Sequence, residues 1–371
     1  MMIAERLQNS DVNIKFSSFG EAAGYLTMHG YDCVTVPPVE FVWSMKEGFL
    51  IRQSIANIPN WFTNFSRQLN NEARNIIEYN PDIIISDSRL SPLVMAKFLE
   101  IPSVVILNQV KLLLSPRLRE FRIARFFERM NGEILGAMWT LADKILVPDL
   151  PPPYTIAEHN IWDISSVMGK LQYIGLTAPK LYIHQEQLCK VSQILGLDRA
   201  RPIVFIHISG PMETRLPIIR MIIDACKALY PEIQYVISEG RPRGDPKPKK
   251  LAGSGWYYEW CPVRDELFAI SDLVVLRGGH VAISQAIQFG KPIVTIPIEN
   301  HGEQLGNSEK IAKIGIGIRL KTKQLKAKQL TDAIHQVLND SRYKQRANVL
   351  MKLTEKLDGI DNIMKVVRSY I

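Results

Sequence analysis

Cysteine is scarce in this chain. Cys33, Cys189, Cys226 and Cys261 are its whole complement in 371 residues, scattered, with no CxxC pair and no histidine cluster at metal-ligand spacing. A disulfide framework and a zinc site are therefore excluded as organising elements, no metal site is expected, and a reducing cytoplasm is the simplest home. Long apolar runs are missing too: no stretch approaches the ~18–20 apolar residues that span a bilayer. The opening "MMIAERLQNSDVNIKF" reads as the body of an amphipathic helix and not as a signal peptide. No GxGxxG run follows a first strand with an acidic residue about 20 positions on, which argues against a nicotinamide dehydrogenase. Lysine and arginine are spread along the chain instead of gathered around aromatic stacking motifs, so a nucleic-acid partner is not expected.

What is present suits a soluble two-domain protein: 46% hydrophobic and 22% charged residues over 371 positions. The formal net charge of +8 favours anionic partners such as nucleotides or a membrane surface. Apolar runs of strand length alternate with helical patterns, the mark of an α/β fold with parallel sheets. The first series is "VNIKFSS" (12–18), "CVTVPP" (33–38), "DIIIS" (82–86), "SVVIL" (103–107) and "KILVPD" (144–149). The second is "PIVFIHISG" (202–210), "IQYVIS" (233–238), "DLVVL" (272–276) and "IVTIP" (293–297). "LPPPYTI" (150–156) reads as loop, because proline removes donors and fixes φ, and the polar segment around 176–200 reads as a connection. This pattern predicts two Rossmann-like domains, 1–175 and 176–371, with the last helices packing back on the first domain. A Rossmann-like domain opens with a strand and a glycine-rich turn before its first helix. Here the chain opens on that helix. The expectation is a first domain without that strand and loop, through a start codon assigned downstream of the true one or through a real loss.

The stretch "SDLVVLRGGHVAISQAIQFGKPIVTIP" (271–297) carries the chemistry. A buried parallel strand that ends in glycines at a helix N-terminus is a preformed anion site, since unpaired N–H groups and the helix dipole favour a phosphate. Arg277, at the strand's carboxyl end, adds a charged, bidentate donor. The plainer reading is a tight turn whose glycines allow close strand–helix packing. A second loop, "HISGPMETR" (207–215), follows another strand, and its Ser209, Gly210, Thr214 and Arg215 offer further donors; there the plainer reading is a capped helix start.

Residues 256–310, "WYYEWCPVRDELFAISDLVVLRGGHVAISQAIQFGKPIVTIPIENHGEQLGNSEK", resemble the donor-binding region of GT-B glycosyltransferases. The resemblance is to the UDP-glycosyltransferases and to the bacterial lipid-linked N-acetylglucosaminyltransferases of peptidoglycan synthesis. Trp260-Cys261-Pro262, Arg277-Gly278-Gly279-His280, Gly290-Lys291-Pro292, Pro297, Glu303-Gln304 and Asn307 occur in that family's order. The resemblance implies two Rossmann-like domains facing each other across a cleft, and a metal-independent transferase with a UDP-sugar as co-substrate and no other cofactor. It assigns Trp260 and the Cys261 backbone to the uracil, and Arg277 with the backbone of Gly278, Gly279, His280, Val281 and Ala282 to the diphosphate. Glu303 and Gln304 would meet the transferred sugar. Two positions depart from the pattern: Ala282 replaces a hydroxyl donor, and Gln285 replaces the glutamate that grips the ribose, leaving an amide without its charge.

An inverting transfer needs a general base. In the relatives that base lies on the loop this chain lacks, so Asp87 in "DIIISDSRLSP" is the candidate, against a plainer role as N-cap of a helix at 91–99. His280 is a second candidate. For the acceptor, residues 110–139, "VKLLLSPRLREFRIARFFERMNGEILGAMW", mix five arginines with large apolar residues. They could lie on an anionic membrane surface beside a lipid-accepting groove lined by residues 40–62, or they could be a solvated helix face over ordinary core. A lipid acceptor and a peripheral position on the inner face of the membrane follow from the first reading. A non-hydrolysing UDP-sugar epimerase and an inactive nucleotide-sugar-binding subunit of a transferase complex are the alternatives.

Overall fold

The computed structural model describes residues 2–7, 12–38, 43–44, 48–49, 58–114, 116–178, 183–229, 231–241, 243–251 and 253–371. The chain divides into two compact units. One comprises Met1–Pro151, Asn160–Leu176 and Leu357–Ile371; the other comprises Pro152–His159 and Thr177–Lys356.

In the first unit β1 (Phe16–Ser18) pairs in parallel with β2 (Cys33–Thr35), and β3 (Trp43–Ser44) forms an antiparallel pair with β4 (Gly48–Phe49). Four parallel strands make the larger sheet: β5 (Ile84–Asp87), β6 (Ser103–Ile106), β7 (Lys144–Val147) and β8 (Leu171–Tyr173), in that spatial order. The expected strand over 12–18 thus shrinks to its last three residues, and its small sheet is separate from the four-stranded one. The segment before β1 nevertheless packs on the four-stranded sheet. Val12 and Ile14 pack with Ile83, Ile85, Val104 and Leu146, and the helix Gly359–Val367 closes the cluster with Ile360, Ile363, Met364 and Val367. Those four positions recur with the helical period, so one face of the helix is apolar and is buried here. Arg89 ties the small sheet down: its Nη1 donates to the Ser17 carbonyl at 2.8 Å, and its Nη2 meets the Glu72 carboxylate at 2.6 Å.

The second unit is built on a seven-stranded sheet of β9 (Ile203–His207), β10 (Gln234–Ser238), β11 (Lys249–Lys250), β12 (Gly255–Tyr258), β13 (Leu273–Leu276), β14 (Ile293–Thr295) and β15 (Gly317–Arg319). The spatial order is β11-β12-β10-β9-β13-β14-β15, parallel except for the β11 edge. Central strands covered on both faces must be apolar throughout, and β10, β13 and β14 are buried at every residue. The helices Met212–Lys227 and Ala327–Asn339 contribute Ile219, Ile222, Leu330 and Ile334 to the cluster on one face. Because the pairing is parallel, all the strands from β9 to β14 other than β11 end on one rim, where their loops gather.

Gly175, at φ +93°, sits where a Cβ would collide with the carbonyl oxygen of Leu357, the first residue of the returning segment. Gly175→Ala combines left-handed strain with that clash, and we expect it to lower stability by about 2–4 kcal/mol, read as a fall in the urea midpoint of the first unit.

Candidate active site

The site is assembled on the carboxyl rim of the second unit's sheet. Left-handed backbone marks it: Gly210 (φ +116°), Gly240 (φ +62°), Gly278 (φ +89°) and Asn300 (φ +64°) follow β9, β10, β13 and β14 respectively. The two glycines after Arg277 serve different ends. A Cβ on Gly278 would press on the Ser308 hydroxyl and the Gln304 carbonyl, so glycine there lets the loop lie against the helix Gly302–Ile314; Asn307 Nδ2 donates to the Gly278 carbonyl at 3.1 Å. A Cβ on Gly279 would meet nothing within 4 Å. Gly279 is the N-cap of the helix His280–Gln288 and provides no side-chain cap to the first turn. Open space therefore faces a helix start whose N-cap is a glycine, an arrangement an anion can fill.

Arg277 leaves β13 and is only 4% exposed. Its Nη1 donates to the Thr214 carbonyl at 3.1 Å, its Nε has no partner, and no carboxylate pairs with it among the described residues. Burial draws this guanidinium down to about 10. A buried cation without counter-charge is costly, and it lies on the same loop as the uncapped helix start. Val281 and Ala282 follow on the first turn, Val281 exposed and Ala282 half-buried, while His280 is buried.

The second predicted loop is arranged differently from expectation. Arg215 was expected to offer donors to a phosphate, but its Nη2 forms a buried ion pair with Glu239 at 2.8 Å and its Nη1 donates to the Gly210 carbonyl at 2.8 Å. The N-cap of the helix Met212–Lys227 is Pro211, and the Thr214 hydroxyl donates to the Pro211 carbonyl at 3.0 Å. Ser209 is half-buried beside Gly240, whose Cβ would sit 3.1 Å from the Ser209 Cβ.

Trp260 presents its ring to solvent, 46% exposed, while the neighbouring Cys261 is buried and its thiol is pushed up to about 12 by burial. Gln285 is buried and its amide donates to the Asp265 carboxylate, which also accepts from Arg264 Nε at 3.1 Å. Gln304 Oε1 accepts from Ile298 N at 2.9 Å and so closes the loop after β14; Glu303 is half-buried on the same helical turn. Sequence reasoning missed four participants on this rim: His207, Glu239, Tyr257, whose hydroxyl donates to the Glu239 carboxylate, and Asp265. Each follows or flanks a strand end, a signal that becomes usable once β12 is recognised as a strand.

Asp87 belongs to the first unit, at the end of β5. The N-cap of the helix Leu90–Phe98 is Arg89, so Asp87 does not have the capping role weighed for it. Burial raises its carboxyl above the usual range, and a long 3.4 Å hydrogen bond from Ser88 opposes this. Ser88 itself takes φ +55°, turning the chain sharply after the carboxylate. Residues 40–62 lie largely outside the described residues.

Comparison with known proteins fits this architecture. Residues 222–363 match the glycosyltransferase family 28 C-terminal domain. An uncharacterized glycosyltransferase of Methanosarcina acetivorans is 27% identical over 377 residues, covering 100% of this chain and 94% of that protein. A UDP-glucuronosyltransferase 3A1 of Bos taurus is 36% identical over 115 residues, 31% of this chain and 22% of that one. The crystal structure of the glycotransferase of kitacinnamycin superposes with a TM-score of 0.70 at 17% identity, over 100% of this chain and 94% of that one. The fold is the two-domain GT-B fold of glycosyltransferases, residues 222–363 are similar to a family 28 C-terminal domain, and the full-length relatives favour a transferase over an epimerase.

His207, hydrogen-bonded to the Ser238 hydroxyl at 3.1 Å, is lowered from 6.5 to about 4, first by burial and then by the charge of Arg264. Between those values the unfolded chain holds the proton that the folded chain refuses, so stability is lost as pH falls from 6.5 towards 4. His207→Asn is expected to flatten urea midpoints across that window by about 1–3 kcal/mol relative to the parent slope.

Proposed function

We propose that this chain transfers a sugar from a UDP-sugar to an acceptor hydroxyl. The observation that carries the reading is Arg277, a guanidinium buried with no carboxylate partner among the described residues, at the loop whose Gly279 is the N-cap of the helix His280–Gln288. A diphosphate supplies the missing counter-charge. In this reading Arg277 and the N–H groups from Gly279 to Ala282 hold it, and they stabilise the charge that grows on it as the glycosidic bond breaks, without a metal. The exposed face of Trp260 stacks on the base. The Asp265 carboxylate, held by Gln285, takes the place of the family glutamate at the ribose. Ser209 and Gly210 line the far side of the phosphates, and Glu303 with Gln304 meets the sugar hydroxyls.

The transfer forms a bond between the acceptor oxygen and the anomeric carbon and breaks the bond from that carbon to the phosphate oxygen. The proton released by the acceptor hydroxyl goes to Asp87, whose carboxyl pKa is raised above the usual range, which favours a general base. The 36% identity over 115 residues with a UDP-glucuronosyltransferase supports a uridine donor; a lipid hydroxyl as acceptor fits the basic, apolar surface of the first unit.

Calorimetric titration with UDP is expected to show saturable binding, weakened about 10- to 150-fold in Arg277→Ala, the effect of a charged hydrogen bond worth about 1.5–3 kcal/mol. Silence with UDP and with other nucleoside diphosphates would leave a transferase fold without a donor site. Asp87→Asn is expected to bind UDP as the parent does and to lose roughly 10²–10⁴-fold in turnover with a UDP-sugar; unchanged turnover would remove Asp87 from the mechanism.

A further inference from the structure

The helix Arg122–Trp139 is amphipathic in the opposite sense to a core helix. Its inward line is Glu128, Gly132, Gly136 and Trp139. Side chains at either glycine would collide with Ile164, so the helix packs closely on the segment around Ser165–Val167 through its least bulky face. At ~100° per residue, Ile123, Phe126, Phe127, Met130 and Ile134 fall on the opposite side, and all five are exposed, as is Phe121 just before the helix. Sequence alone left open whether this apolar stripe was core. It is not.

The charges are sorted as clearly. Glu128 is buried, accepting from Leu114 N at 3.0 Å and pairing with Arg119 at 3.1 Å. Glu133 accepts from the backbone of Ser165 and Ser166 at 2.8 and 2.9 Å. Both carboxylates of the helix are thus taken up by the protein. Arg122 and Arg129 stay exposed along one flank of the apolar stripe, and Arg125 stays exposed near the start of the helix, with no ion pair among the described residues. The outward surface is apolar and positive.

We propose that this helix docks in the plane of an anionic lipid bilayer, its phenylalanines entering the acyl boundary and its arginines meeting the head groups. A second copy of the chain fits less well, because a two-fold contact brings arginines against arginines. A bilayer with anionic lipids receives the apolar stripe and the cationic flank together. The inference does not rest on the donor reading.

The experiment is co-sedimentation of the full chain with vesicles of phosphatidylcholine alone, and with equal parts phosphatidylcholine and phosphatidylglycerol, alongside sedimentation velocity without lipid. The chain is expected on the mixed vesicles only, and released as salt rises. Phe126→Ser with Phe127→Ser should weaken partitioning at least roughly tenfold. Arg122→Gln, Arg125→Gln and Arg129→Gln together should weaken it on the order of a hundredfold. Unchanged melting temperatures of both variants exclude a folding defect, since every altered side chain is exposed. No retention on mixed vesicles, or retention indifferent to both variants, overturns the proposal. So does a lipid-free dimer that the phenylalanine variant dissolves, which would assign the stripe to a second copy.

Discussion

Parallel pairing is the constraint from which the rest of the second unit follows. Two parallel neighbours cannot be joined by a tight turn, so each strand is followed by a crossover, and helices cover both faces. The covered strands β9, β10, β13 and β14 must then be apolar, which fixes the core. The same geometry delivers the strand ends to one rim, where polar and charged groups are admitted and glycines take left-handed turns. Core and site are two ends of one arrangement.

Within that rim, charge is distributed unevenly. Arg215 and Glu239 form a buried ion pair, to which the half-buried Tyr257 donates. Arg277 shares the burial but has no carboxylate partner among the described residues. Its position is enforced by the strand that precedes it and by the Thr214 carbonyl, which leaves a fixed positive charge poised next to an open helix start. A fixed charge of this kind lowers stability, and an anion bound beside it would recover that cost.

Much of this was legible in the chain. The apolar runs over 202–210, 233–238, 272–276 and 293–297 became β9, β10, β13 and β14, because strands buried on both faces keep their few polar residues, such as Gln234, Ser238 and Thr295, at their ends. β8, β12 and β15 escaped: "LQY", "GWYY" and "GIR" are short and lie near sheet edges, so half their residues face something other than core. The Arg-Gly-Gly-His turn was readable since glycine and arginine have few reasons to meet at a strand end. The engagement of Arg215 with Glu239, and of Gln285 with Asp265, was not, because each joins residues far apart in sequence whose meeting depends on strand order. Which face of the Arg122–Trp139 helix turned inward depended on Gly132 and Gly136, and a glycine registers in a hydrophobic pattern as an absence.

The return of Leu357–Ile371 to the unit that begins the chain has a bearing on how the protein is made. Domains emerging from a ribosome ordinarily fold in the order of synthesis. Here the stretch from Thr177 to Lys356 is translated before the helix that covers Val104 and Leu146 exists. The half that starts first finishes last. For the time it takes to translate the second unit, the earlier one carries an uncovered apolar face, and it is this half of the nascent chain that calls for a chaperone.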